Sequence, residues 1–136
     1  MPIVVIAKNE ADYQEWVTAQ KAAMDADAAS AGREWTMAEL MDRGEKVYNT
    51  ACAACHQANG EGVPGAFPGL KGSAIATGPK DAHIGIVLNG KAGTAMAAFG
   101  GQLNDVELAA VITYERNAWG NNTGDLVQPS EIKAAR

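Results

Sequence analysis

The chain has 136 residues, a formal net charge of −5, and 47% apolar, 20% charged and 6% aromatic residues. That suits one compact domain with a short linker or tail and excludes wholesale disorder. No apolar run approaches the roughly 18 residues of a membrane span, and the acidity argues against a nucleic-acid binder.

The start, Met1-Pro2-Ile3-Val4-Val5, has no basic region or cleavage site of a secretory leader, so the chain reads as cytosolic, as a mature form or as an excised piece. Ile3 to Ala7 is β-branched and reads as a strand with no partner in this chain. From Glu10 to about Ala29, Tyr13, Trp16, Val17, Gln20 and Met24 fall near helical spacing. This predicts a helix that fades into a linker near residues 26–33, with Tyr13 and Trp16 docked against a neighbour. A domain then begins near Trp35. Met37 to Ala51 is predicted as a helix with Leu40, Met41, Gly44, Val47 and Tyr48 on one side, capped by Thr36 with Glu39. Gly44 is the residue there that permits a close helix crossing.

Residues 60–101 hold 11 of the 15 glycines and three of the five prolines, so most of that stretch is loop. One helix interrupts it, Pro79 to Asn89, with Gly90 just past its end. A last helix is predicted from Asp105 to about Trp119, with Asn104 as N-cap, Glu107 as its capping partner and Gly120 at C′. Leu108, Val111, Ile112 and Glu115 share one of its faces. The remainder reads as a polar tail. Loops this long need something to organise them.

Cys52-Ala53-Ala54-Cys55-His56 closes the first domain helix. The two cysteines are too few and too close for a disulfide framework. Two thiols at this spacing can each bond a vinyl group of one haem, and the next histidine then falls under the iron as an imidazole ligand. A thioredoxin-like pair needs a strand–helix setting, and a zinc site needs a second ligand pair, which His83 alone does not supply. One covalent haem c on Cys52, Cys55 and His56 is the expectation. The opposite iron position follows by elimination. A low-spin carrier takes Met or His there, and Met96 is the one methionine after the motif, 40 residues beyond His56. His83 is the rival and reads as an ordinary helix histidine. Pro68 is the expected carbonyl acceptor for the other ring nitrogen of His56, with Pro64 behind it. Phe67, Leu70, Ile75, Ile84, Val87, Leu88 and Phe99 are expected to wall the haem. Tyr48 and Trp119 either bond a propionate or pack where the terminal helices cross; packing is the preferred reading. Asn121-Asn122-Thr123 matches a glycosylation acceptor and is expected to be unused.

On these residues, Leu40 to Trp119 resembles a class I cytochrome c domain. The helix running into Cys52-x-x-Cys55-His56, the Phe67-Pro68-Gly69-Leu70 loop and the Gly93–Gly101 methionine loop carry the likeness. The resemblance implies an all-α class I cytochrome c fold, with crossing terminal helices, a short central helix and long loops, here with an N-terminal strand–helix extension. Residues 93–103 and 111–121 are more narrowly similar to the cytochrome c domain fused to subunit II of bacterial caa-type cytochrome c oxidases. Met1-Pro2-Ile3-Val4-Val5 is then similar to the end of that subunit's binuclear-copper (CuA) domain, and Glu10–Trp16 to the helix start after it. Met1 matches a copper-ligating methionine, but the Cys and His ligands are absent and no copper site forms. Ala97 departs from the proline that often follows the axial methionine and leaves the Met96 sulfur available.

This resemblance implies three segments: an extension over 1–34, a cytochrome c domain over 35–121 and a polar tail over 122–136. It also implies a function. Electrons arrive from a soluble donor, such as a cytochrome c, and pass to the CuA site of the oxidase. His56 and Met96 close both axial positions, so the chain alone performs no catalysis. The implied location is the periplasm, or the outer face of the cytoplasmic membrane as part of an anchored oxidase. No nucleic acid or direct membrane contact is expected. The strand, without its sheet, is expected to be disordered, to pack on the haem domain or to mediate self-association. A free-standing carrier with an N-terminal extension is the alternative function. A gas- or peroxide-binding haem domain is a third, and needs an open sixth position. Residues 1–36 carry 3 basic and 6 acidic groups and the rest 8 and 10, which marks no docking face.

Overall fold

The computed structural model describes residues 9–136, apart from the side chains of Met24 and Ala28. The predicted strand Ile3–Ala7 lies outside the described residues. The helices are α1 (Glu10–Ser30), α2 (Met37–Ala51), α3 (Ala53–His56), α4 (Lys80–Asn89), α5 (Asp105–Asn117) and α6 (Pro129–Ala135). Among the described residues there is no strand, only an isolated bridge between Val63 and Phe67. The architecture is all-α, in keeping with a class I cytochrome c fold.

Local chemistry starts the two principal helices. The Thr36 N–H donates to Glu39 Oε2 at 2.9 Å, and the Glu39 N–H donates to Thr36 Oγ1 at 3.4 Å. Asn104 and Glu107 make the same reciprocal pair before α5, at 2.9 and 3.0 Å. Each pair satisfies N–H groups that a helix start leaves unpaired. Arg33 reaches Glu39 at 2.8 Å, and that bond, with those from Thr36, holds the Glu39 carboxyl down at about 2.

Leu40, Gly44 and Tyr48 recur every four residues and form the buried face of α2, which crosses α5. A Cβ on Gly44 would lie 2.6 Å from Tyr114 Cβ and closer still to the Ala110 carbonyl oxygen. The helices therefore touch through their backbones. Tyr48, Tyr114 and Trp119 cluster beside the crossing, with ring centroids 4.7–5.5 Å apart. The Tyr48 hydroxyl donates to Gln57 O at 2.6 Å and Trp119 Nε1 to Ala58 O at 3.1 Å. Both polar tips are spent on backbone, and both rings pack.

Helix α5 ends at Asn117, short of the predicted Trp119, because Trp119 takes φ 55° and turns the chain. Residues 122–136 are not a loose polar tail. Val127, Pro129 and Ile132 are buried, and the Val127 N–H donates to Thr113 Oγ1 on α5 at 2.9 Å. Gln128 exchanges bonds of 2.9 and 2.8 Å with the Trp35 backbone. Helix α5 is thus covered by α2 on one side and α6 on another.

The expected linker is docked as well. Asp27 is buried, where it pairs with Arg43 and accepts from Asn104 Nδ2 at 3.3 Å. Trp35 Nε1 donates to Ser30 O at 3.1 Å, under a stacked Arg33 guanidinium. Tyr13 and Trp16, expected to dock, are 48% and 49% exposed and stack on each other.

Gly44→Val is expected to cost about 3 kcal/mol by forcing α2 from α5, read as a lower urea midpoint. The Glu39 carboxyl lies below its ordinary 4.5 in the folded state, so its contribution is complete above pH 4.5 and fades toward pH 2. Glu39→Gln is therefore expected to flatten the fall of stability across that window, measured by denaturation at a series of pH values.

Candidate haem-binding site

The motif does not lie on the end of α2, as the sequence suggests, but on a turn of its own. Helix α2 stops at Ala51, and Cys52 carries the chain into the single turn α3. The N–H groups of Cys55 and His56 both donate to Cys52 O, at 3.1 and 3.0 Å. Cys52, Cys55 and His56 therefore stand at i, i+3 and i+4 of one turn, the spacing that shares a helix face. Both cysteines are free thiols.

After His56 the chain reverses at Gln57 (φ 63°) and returns as a tight loop. The Gly62 N–H donates to His56 O at 2.9 Å, and Val63 and Phe67 pair through two bonds of 2.8 Å. Gly62 has φ +68°, and a Cβ there would lie 2.6 Å from the Pro68 carbonyl oxygen. Only glycine admits that carbonyl so closely, and the same carbonyl meets His56 Nδ1 at 2.8 Å. A carbonyl can only accept, so Nδ1 carries the proton and Nε2 the free lone pair. His56 is 9% exposed. Among the described residues Nε2 has no hydrogen-bond partner, and Pro64 makes no bond to the ring.

Met96 lies half-buried in a loop held against α4. The N–H groups of Phe99 and Gly100 donate to Val87 O and Leu88 O at 3.0 and 3.1 Å, and that of Lys91 to Met96 O at 3.1 Å. Ile84, Val87 and Leu88 are in the core, with Leu70 and Phe99 packed against it. Phe67 is half-buried. Ile75 is 38% exposed, an apolar side chain that protein does not cover. Among the described residues no hydrogen bond joins the Met96 loop to the His56 loop.

His83 is not an ordinary helix histidine. It is buried, with Nε2 2.9 Å from Glu115 Oε2. A carboxylate only accepts, so this nitrogen holds its proton and is committed to Glu115. Glu115 is also buried and faces the Cys52 thiol, which burial first and this carboxylate second push far above the usual thiol range. Arg116 is buried too, donating to Ala76 O and Gly78 O at 3.2 and 2.9 Å and pairing with Asp125. The Asn121 amide donates to Leu70 O and Glu115 O and accepts from the Gly72 N–H, at 3.2, 2.6 and 2.7 Å. These bonds consume the asparagine of the glycosylation match. The sequence pattern singles out none of these four as structural.

The residues suit a haem: two free thiols one turn apart, a buried imidazole fixed through Nδ1 with Nε2 unspent, and apolar side chains left uncovered. The family model described as cytochrome c oxidase, cbb3-type, subunit III matches residues 39–114. The chain belongs to this cytochrome c family. It is 38% identical over 92 residues to cytochrome c-552 of Thermus thermophilus, covering 57% of this chain and 69% of that one. It is 42% identical over 74 residues to cytochrome c6 of Leptolyngbya boryana, covering 52% of this chain and 84% of that one. To the cbb3-type oxidase subunit CcoP of Azospirillum brasilense it is 31% identical over 97 residues, which is 67% of this chain but 32% of the relative. The chain is thus a cytochrome c electron-transfer domain, and such a domain binds haem. No helix among the described residues is long and apolar enough to cross a membrane.

In this cytochrome c domain, Gly62→Ala is expected to push the Pro68 carbonyl off His56. The His56 Nδ1 proton should then exchange with solvent faster than in the parent, as NMR would show, with a stability loss of about 1–2 kcal/mol from the left-handed backbone.

Proposed function

We propose that the domain carries one haem c, joined through Cys52 and Cys55, with His56 Nε2 and the Met96 sulfur as iron ligands. The observation that carries this reading is the His56–Pro68 bond of 2.8 Å, which fixes the ring and leaves Nε2 for a metal. Haem c supplies a one-electron iron couple. The chain's own work is to hold it. His56 and, from the loop on α4, Met96 would hold it, and Phe67, Leu70 and Phe99 would keep water away. A thioether ligand favours ferrous iron and raises the potential. With both His56 and Met96 holding the iron, no site would remain for a substrate, and the domain would pass electrons without making or breaking a substrate bond.

The domain works as the electron-entry module of a caa-type oxidase subunit II. Support comes from the similarity of residues 93–103 and 111–121 to that module. On this reading residues 1–34 are the extension joined to the CuA domain, 35–121 the haem domain and 122–136 a closing segment. A soluble cytochrome c or similar carrier donates, CuA accepts, and both lie in the periplasm or at the outer face of the cytoplasmic membrane. Contacts with such partners are small and short-lived. A free-standing carrier is the second reading, favoured by the 84% coverage of cytochrome c6. Copper-ligand residues in frame upstream in the parent gene would decide for the oxidase.

The matured protein is expected to show the mass of one added haem and a low-spin reduced spectrum. Met96→Ala is expected to abolish the far-red sulfur-to-iron band, lower the midpoint potential and admit carbon monoxide to the reduced protein. An unchanged band and potential would remove Met96 as ligand; the mass of bare polypeptide would remove the haem.

A further inference from the structure

Electron transfer of this kind makes no use of the most deeply buried titratable pair among the described residues. His83 on α4 and Glu115 on α5 have side chains 2% and 4% exposed, and meet at 2.9 Å. Packing alone does not call for them, since apolar residues of like volume commonly fill such a place at no loss of stability. The pair also adjoins the attachment site: Cys52 and Leu70 pack on the core that α5 fills, and Asn121 donates to both Leu70 O and Glu115 O, at 3.2 and 2.6 Å.

The pair has two protonation states close to the core's centre. With Nε2–H held by Glu115, the neutral ring keeps its free lone pair on Nδ1, which is buried without a partner. A proton added at Nδ1 turns a net charge of −1 into a neutral imidazolium–carboxylate pair.

The nearest cations are already paired elsewhere. Arg116, next to Glu115, turns to Ala76 O, Gly78 O and Asp125. Lys80, one turn before His83, pairs with Glu131 of α6 at 2.5 Å, and Asp81 is exposed. On α2, Arg43 pairs with Asp27 of α1, and Glu45 faces Tyr114. Burial raises both Tyr48 and Tyr114, so neither ionises near neutrality.

We propose that His83–Glu115 is a redox-linked proton site, which takes one proton from solvent when the donor's electron arrives and returns it when the electron leaves. The proposal rests on haem attachment at Cys52. An electron placed beside a buried pair attracts the proton through a medium of low dielectric. Linkage is reciprocal, so deprotonation of the pair must disfavour the electron equally. The midpoint potential therefore falls as pH rises through the pair's titration.

The test is potentiometry of the holoprotein between about pH 5 and pH 8, where imidazole titrates. The parent's potential should fall with pH, and Glu115→Gln and His83→Gln should each flatten that fall. A flat parent curve, or variants that keep the parent's slope, overturns the proposal. Should the variants not fold, NMR titration of the His83 ring in the unaltered protein decides. The ferrous form should bind the ring proton about fivefold more tightly, or more, than the ferric; equal midpoints overturn the proposal. Haem mass and the far-red band, read on the same samples, report separately on attachment and ligation. A pH-independent potential with both intact removes the proton site alone.

Discussion

Helices α2 and α5 meet where Gly44 lies against the Ala110 carbonyl, and the position of the site follows from that contact. Cys52 stands eight residues beyond Gly44, about 12 Å along the same axis. Once the crossing is set, the start of the attachment turn has one place to be. The crossing also brings Tyr48 and Trp119 together, and their polar tips hold Gln57 O and Ala58 O. Those carbonyls belong to the two residues just after His56. A backbone contact far from the imidazole thus fixes the path by which the chain leaves it.

Between His56 and α4 no helix satisfies the backbone, yet buried carbonyls must find donors. Side chains from α5 and the turn after it supply them. Arg116 holds Ala76 O and Gly78 O, and Asn121 ties Leu70 and Gly72 to the end of α5. Arg136 does the same after the Met96 loop, donating to Gly100 O and, at 3.1 Å, to Leu103 O. Helix α5 is a spine that carries its own clamps for the loops, as well as filler for the core.

What could be read in the sequence was local. Thr36 with Glu39 and Asn104 with Glu107 are three residues apart, and each states its helix start unaided. The C-x-x-C-H spacing points to its chemistry for the same reason. Contacts made over long separations left no such trace. His83 and Glu115 are 32 residues apart, and each alone looks like a polar residue on a helix. Val127, Pro129 and Ile132 are too few to show a period, and their burial depends on Thr113 receiving the Val127 N–H. Tyr13 and Trp16 mislead in the opposite sense. Their spacing describes a face suited to burial, and on this chain they find only each other.

The anchoring of α1 by its last turn alone has a mechanical consequence. From the Asp27–Arg43 clamp back to Glu10 the helix reaches about 26 Å. A group joined at the Glu10 end would be carried on a stiff jib and not on a random coil. Its distance from the haem domain would vary little, while its bearing could swing. How often the two bodies come face to face would then be governed by angle, and lengthening or shortening the arm by a turn would rotate the load as well as displace it.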